Sequence, residues 1–160
     1  MADIAALAAK LQHLQDLEEI RALKYEYARH ANIVNGKAGD LKAFAALFAE
    51  DASFDVGMGE AKGPAAIEEM MSGLTTQWHT AMHYMLNPQI RVDGDKASGT
   101  ISGLFAFTTT ANPAPIWLSN IYTDSFVRTA QGWRIQSLRV ETTFADPAFL
   151  AGYADKLADG

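Results

Sequence analysis

The sequence predicts an α+β fold, helices first and a curved, largely antiparallel sheet after. Up to about Leu74, apolar residues recur every three or four positions, the spacing of helices with one buried face. From Met82 onward they alternate, the spacing of strands. Asp93-Gly94-Asp95 and Ala130-Gln131-Gly132 cut the alternating half into long antiparallel segments. Such a segregated order packs helices on one face of a sheet.

In residues 4–34, the stripe Leu7, Leu11, Leu14, Leu17, Ile20, Leu23 and Tyr27 predicts a long helix with a single buried face. The stretch holds no proline or glycine, and Asn35-Gly36 is placed to end it. Acids at Asp16, Glu18 and Glu19 would suit a helix start, so the piece before Asp16 can be read as a separate helix. Asp40 caps a second helix over residues 41–49, and residues 52–56 alternate as a short strand. A loop with Gly57, Gly59 and Gly63 leads to a third helix, residues 65–74, with Pro64 in its first turn and Ile67, Met70, Met71 and Leu74 inward. Strand segments follow at residues 82–86, 89–92, 96–110, 116–129 and 133–144. Asp146-Pro147 starts a terminal helix carrying Phe149, Leu150 and Tyr153.

A chain of 160 residues suits one domain, residues 1–160, able to bury its own core. With no cysteine, thiolate catalysis, disulfides and cysteine-ligated metal are excluded. The net charge of −6 comes without a basic stripe, so a nucleic-acid partner is not expected. Arg21, Lys24 and Arg29 alternate with Glu18, Glu19 and Glu26 and read as a solvated face with intrahelical pairs. No apolar run approaches a membrane span, and Met1-Ala2-Asp3 does not open a secretory signal; a cytoplasmic protein without a membrane partner is the expectation. Neither a GxxxxGK[ST] nor a strand-linked GxGxxG occurs, which argues against nucleotide cofactors.

Four segments, in order, carry a resemblance: residues 19–28 (EIRALKYEYA), 46–54 (ALFAEDASF), Met82-His83-Tyr84 through Asn87, and Tyr122-Thr123-Asp124 continuing to Gly132-Trp133-Arg134-Ile135. Together they resemble the polyketide-cyclase-like, or SnoaL-like, branch of the nuclear-transport-factor-2 superfamily. The resemblance implies a cone, in which a bent mixed or antiparallel sheet wraps a long first helix around an apolar cavity. It also implies a homotrimer or homodimer built on the outer sheet face, and cofactor-free dehydratase, dehydrohalogenase, isomerase or cyclase chemistry; lyases that expel formaldehyde from lignin-derived diaryl diols belong to the wider superfamily. By the same resemblance, His83 matches the general base, Tyr27 the assisting group on the first helix, and Arg139 the arginine of the last strand. Asn32 stands where these relatives carry an aspartate. It can fix the tautomer of an imidazole but cannot stabilise imidazolium by charge, and Glu141 or Asp55 are other carboxylates able to take that part.

Read on their own, the same residues leave two readings each. His83 opens an apolar alternating strand, as a positioned base or as a histidine hydrogen-bonded within the core. Tyr27 continues the buried stripe, as a proton donor or as a core phenol with a partner for its hydroxyl. Asn32 is either a site residue or a cap near the helix end. Arg139 and Glu141 share parity with Trp133, Ile135 and Ser137; if inward, they pair with each other as scaffold or Arg139 meets an oxyanion. His79 and His83 are four apart, but Thr80 follows His79 where a zinc-protease motif has glutamate, so no metal is expected. If the cone is right, Trp78, Met82, Phe54, Phe105 and Trp117, with Glu141, line it for a small hydrophobic, aromatic substrate.

Overall fold

Helix α1 (Ile4–Ala31) lies along the concave side of a curled half-barrel sheet in the computed structural model, which describes residues 3–57 and 59–149. Asp3 caps α1 by accepting from Ala5 N. Two short strands, β1 (Ile33–Val34) and β2 (Lys37–Ala38), precede α2 (Leu41–Ala45), which Asp40 caps through Ala43 N. Then come β3 (Phe48–Asp55), β4 (Glu60–Lys62), α3 (Gly63–Thr75), and four long strands: β5 (Thr80–Asp93), β6 (Lys96–Thr108), β7 (Ile116–Thr129) and β8 (Gly132–Ala145). The strand order is β2-β1-β5-β6-β7-β8-β3-β4. Every neighbouring pair is antiparallel except β3 with β8, so the sheet is mixed. No helix of the described residues is long and apolar enough to cross a membrane.

The main core joins the inward face of α1 (Ile20, Leu23, Tyr27, Ala31) to Phe44, Phe48 and Phe54 and to Ile101, Tyr122, Phe126 and Leu138 of the sheet. A second apolar cluster, Ile33, Ala81, Phe105, Phe107, Ile116 and Leu118, sits at the other end of the sheet, with Trp78 and Phe149 against it. Residues 147–149 are helical, as expected; Leu150 and Tyr153 lie outside the described residues.

The apolar stripe of α1 is not one face. α1 is continuous through Asp16, but Ile4, Leu7, Leu11 and Leu14 are all more than half exposed. From Leu11 to Leu23 the stripe steps by three, and each step turns the side chain back by about 60° on a helix of 3.6 residues per turn. Leu11 and Ile20 therefore point to opposite sides, and only the second half of the stripe meets the sheet. Lys24, expected on the solvated face, is 1% exposed and belongs to the buried side. Arg21 and Arg29 do pair with Glu18 and Glu26.

Asn35-Gly36 does not end the helix. α1 stops at Ala31 with Asn32 in an extended cap conformation, and Asn35 (φ 52°) and Gly36 (φ 75°) form the hairpin turn between β1 and β2. Helix α2 is four residues shorter than expected, because Phe48 pairs with Ile135 and Leu47 O accepts from Ile135 N; sheet pairing overrides local helical spacing.

The parity expected for the last strand also changes. The β7–β8 register jumps between Ser125/Ser137 and Phe126/Ile135, leaving Gln136 as an extra residue. After this bulge Leu138 faces inward, 1% exposed, while Arg139 and Glu141 face out and pair with each other at 3.3 Å.

Asp16 holds α1 to β7 and β8 of the sheet. Its carboxylate accepts from Arg128 Nη1 and Nη2 at 2.7 and 2.8 Å and from Trp133 Nε1 at 3.3 Å. The Arg128 bonds hold its pKa well below the ordinary carboxylate range, at about 2. A depressed carboxylate stabilises the fold above its unfolded pKa and loses that contribution as pH falls. The urea-unfolding advantage of the wild type over Asp16→Asn should therefore shrink as pH falls from about 4 toward 2; an advantage independent of pH would remove the ion pair from the account.

Gly103 is held by packing. A Cβ there would lie 2.5 Å from Tyr122 Cε2. Gly103→Ala should cost about 1–3 kcal/mol in denaturant unfolding. Gly73→Ala in α3, where a Cβ would meet nothing within 4 Å, should be neutral or stabilising.

Candidate active site

His83 sits on the inward face of β5, between the two apolar clusters. It pairs across the sheet with Phe105, whose ring centroid is 4.5 Å away, and meets the Tyr27 ring edge-on at 6.2 Å. Asn32 reaches it from the end of α1. Asn32 Oδ1 accepts from the backbone N–H of His83 at 2.7 Å and lies 3.2 Å from His83 Nδ1. The backbone bond settles which amide atom points at the histidine, because only an oxygen can accept there. Nδ1 must then carry the proton and donate to that oxygen, which leaves Nε2 bare as the basic atom. The asparagine thus performs the orienting half of an aspartate's work without its charge.

Burial, and secondarily the positive charge of Lys24, pushes the His83 pKa down to about 3. The imidazole is neutral at ordinary pH. Burial raises the pKa of Tyr27 well above the usual phenol value and also raises that of Tyr122, so both phenols hold their protons. The Tyr27 and Tyr122 rings meet edge-on at 6.0 Å, and Asn120 offsets part of the rise at Tyr122. Asn120 Oδ1 accepts from Thr142 Oγ1 at 3.1 Å.

Sequence reasoning did not pick out Lys24, Asn120, Tyr122 and Asp124 as site residues. Lys24 Nζ lies 2.7 Å from Asp124 Oδ2, both side chains are buried, and the ammonium stands over the Tyr27 and Tyr122 rings at 4.3 and 4.7 Å. The signal was present. Leu118, Asn120, Tyr122, Asp124 and Phe126 share one parity on β7, and Lys24 lies four residues after Ile20 and three before Tyr27.

Of the expected site residues, His83, Tyr27, Asn32 and Phe105 come together. Trp78 packs on Phe105 and Phe107 at the edge of the second cluster, next to His83's partner ring. Phe54 is wholly buried against Phe44 and Phe48 and is core, not lining. Met82 and Trp117 are both opposite Ala106, on the outer face of the sheet. Arg139 and Glu141 are outside by the bulge. Asp55, the other carboxylate considered for the histidine, accepts from Gly57 N at the end of β3. The interior around α1 is filled with rings, and open surface clefts lie away from it: about 530 Å³ between β4 and α3, and about 430 Å³ beside Ala9, His13 and Leu14. Among the described residues no cluster of histidine and carboxylates is placed to hold a metal ion.

The chain was compared with known proteins. It superposes on a type 2 hexachlorocyclohexane dehydrochlorinase, LinA, with a TM-score of 0.77 over 86% of this chain and 92% of that one, at 20% identity. A Novosphingobium aromaticivorans DSM 12444 protein provisionally called a scytalone dehydratase matches at TM-score 0.73 and 21% identity, over 84% and 88% of the two chains. An NTF2-like protein with a cystatin-like fold, also from Novosphingobium aromaticivorans, is 28% identical, with a TM-score of 0.72 over 94% and 97%. No curated relative matches by sequence. The SnoaL-like domain profile matches residues 12–139, a span that holds α1 from before Asp16, the whole His83 site and the sheet as far as Arg139. The chain therefore belongs to the SnoaL-like domain family.

Proposed function

We propose that the protein is a cofactor-independent acid/base lyase or isomerase acting on a small hydrophobic, hydroxylated aromatic substrate, such as a lignin-derived phenolic. The observation that carries this reading is the Asn32–His83 contact, which fixes the tautomer and makes Nε2 the basic atom of an imidazole that meets the Tyr27 ring edge-on at 6.2 Å. In a dehydration, Nε2 takes the proton from the substrate, the freed electron pair forms the new double bond as the C–O bond breaks, the departing hydroxide takes the Tyr27 proton and leaves as water, and the proton on Nε2 then restores the phenol. Loss of formaldehyde or a double-bond shift needs the same proton acceptor.

A base with a pKa of about 3 is weak in the empty site. It becomes effective when the group it deprotonates stays beside it as an anion, since imidazolium and anion then stabilise each other at low dielectric. A phenol, far more acidic than a carbon acid, suits such a base. Kinship with a dehydrochlorinase fold and the SnoaL-like family supports the reaction class. The homodimer or homotrimer we also propose would use the outer sheet face, where Tyr84, Leu86, Trp117 and Phe144 are 40–65% exposed. The rival reading, a non-catalytic module for hydrophobic small molecules, draws on the close ring packing of the interior and predicts binding without turnover.

The test is incubation of chelator-treated protein with phenolic diols and hydroxy-ketones, products being followed by mass. His83→Gln should lose roughly 100-fold or more in turnover and Tyr27→Phe a smaller factor, with melting temperatures retained. Tight binding with no turnover in the wild type would replace this reading with the binding module.

The pH profile gives a second test. With His83 neutral above about pH 3, kcat/KM should show no rising limb near pH 6. Asn32→Asp places a negative charge against Nδ1, favours imidazolium, and should bring that limb up into the measurable range. A wild-type limb near pH 6.5, where unperturbed histidine titrates, would overturn the assignment.

A further inference from the structure

Two buried charges in the interior exchange no proton in the chemistry above. Lys24 and Asp124 are 1% and 3% exposed and meet each other at 2.7 Å. Neither Lys24 Nζ nor the Asp124 oxygens have a well-formed hydrogen bond. Burying such a pair costs about as much as the attraction returns, and apolar residues of similar volume often serve stability as well or better. Stability therefore does not account for it. The geometry does: the ammonium is set over both phenol faces, 4.3 Å from the Tyr27 centroid and 4.7 Å from that of Tyr122. The two rings meet edge-on at 6.0 Å, and Tyr27 in turn meets His83 edge-on. A cation shared by two ring faces holds both rings through attraction to their quadrupoles.

We propose that the buried Lys24–Asp124 pair is a positioning element of the site: its ammonium, set over both ring faces, holds the Tyr27 and Tyr122 phenols in register and places a positive charge behind the ring that His83 meets edge-on. The proposal deepens the acid/base reading and rests on it for its catalytic part. The groups that meet His83 are Tyr27 and Asn32 from α1 and Phe105 from β6; behind Tyr27 stand Lys24 from α1 and Tyr122 and Asp124 from β7. Of the charged ones, Lys24 is the one whose charge bears on the imidazole. A fixed cation beneath the site also selects the sign of the intermediate. It favours a substrate that passes through an oxyanion or phenolate and opposes one that ionises to a carbocation.

The measurement is the imidazole titration of His83, followed by NMR without substrate and assigned by its absence in His83→Gln. In the wild type it should remain neutral well below pH 6; an ordinary titration there overturns the proposal at once. Replacing the pair by Lys24→Met with Asp124→Leu should preserve the fold and raise the proton affinity of His83 by about tenfold, equivalent to about 1.4 kcal/mol of repulsion removed. Lys24→Gln with Asp124→Asn, which keeps a polar contact without charge, should do the same and serves if the apolar pair fails to fold. An unchanged titration in a folded neutral variant would make the pair scaffold only. Because this readout needs no turnover, it separates the positioning role from the lyase reading; loss of kcat in the same variants, with KM retained, tests the link between them.

Discussion

A helix that enters the concave side of a sheet with polar groups on its inward face must find a partner for each of them, because an unpaired buried polar group costs more than most packing contacts return. α1 carries three such groups at intervals of eight residues: Asp16 to Arg128 and Trp133, Lys24 to Asp124, and Asn32 to His83. These pins fix both the rotation and the axial position of the helix. A slide of one turn would separate all three at once. The ring packing of the core and the placement of the histidine both follow from a helix that has one allowed seat.

The same constraint shapes the electrostatics. Asn32 supplies geometry without charge, and Lys24 supplies charge at a distance without touching the imidazole. The more usual arrangement, a carboxylate against the histidine, combines the two and makes a stronger base with a charged partner. Here the roles are divided between two residues of one helix, and the base is kept weak and neutral. That arrangement suits a substrate able to bring its own negative charge.

Much of this was legible in the residues. The change of period locates every long strand, Asp40 announces the cap of α2, and the family resemblance points to His83, Tyr27 and Asn32, which the fold brings next to one another. The failures have physical causes. The leucines of α1 step by three, and a stripe at that spacing winds around the helix. Lys24 looked like a solvated lysine because its acidic neighbours along the chain are close, while its real partner is a hundred residues away. Met82 and Trp117 were assigned inward on composition, although strand parity placed them with the outer face. Arg139 and Glu141 were assigned by an alternation that the chain itself interrupts.

The extra residue at Gln136 has a bearing on how relatives are aligned. Against a relative that lacks this bulge, a residue-by-residue match that runs straight through the strand slips by one beyond it, and equates a side chain facing solvent with one facing the interior. An arginine found inside the cone of one relative and an arginine on the surface of another can then share an alignment column while having no structural correspondence. Around the last strand, equivalence has to be read from the pleat, with a gap opened at the bulge, before any residue's role is transferred.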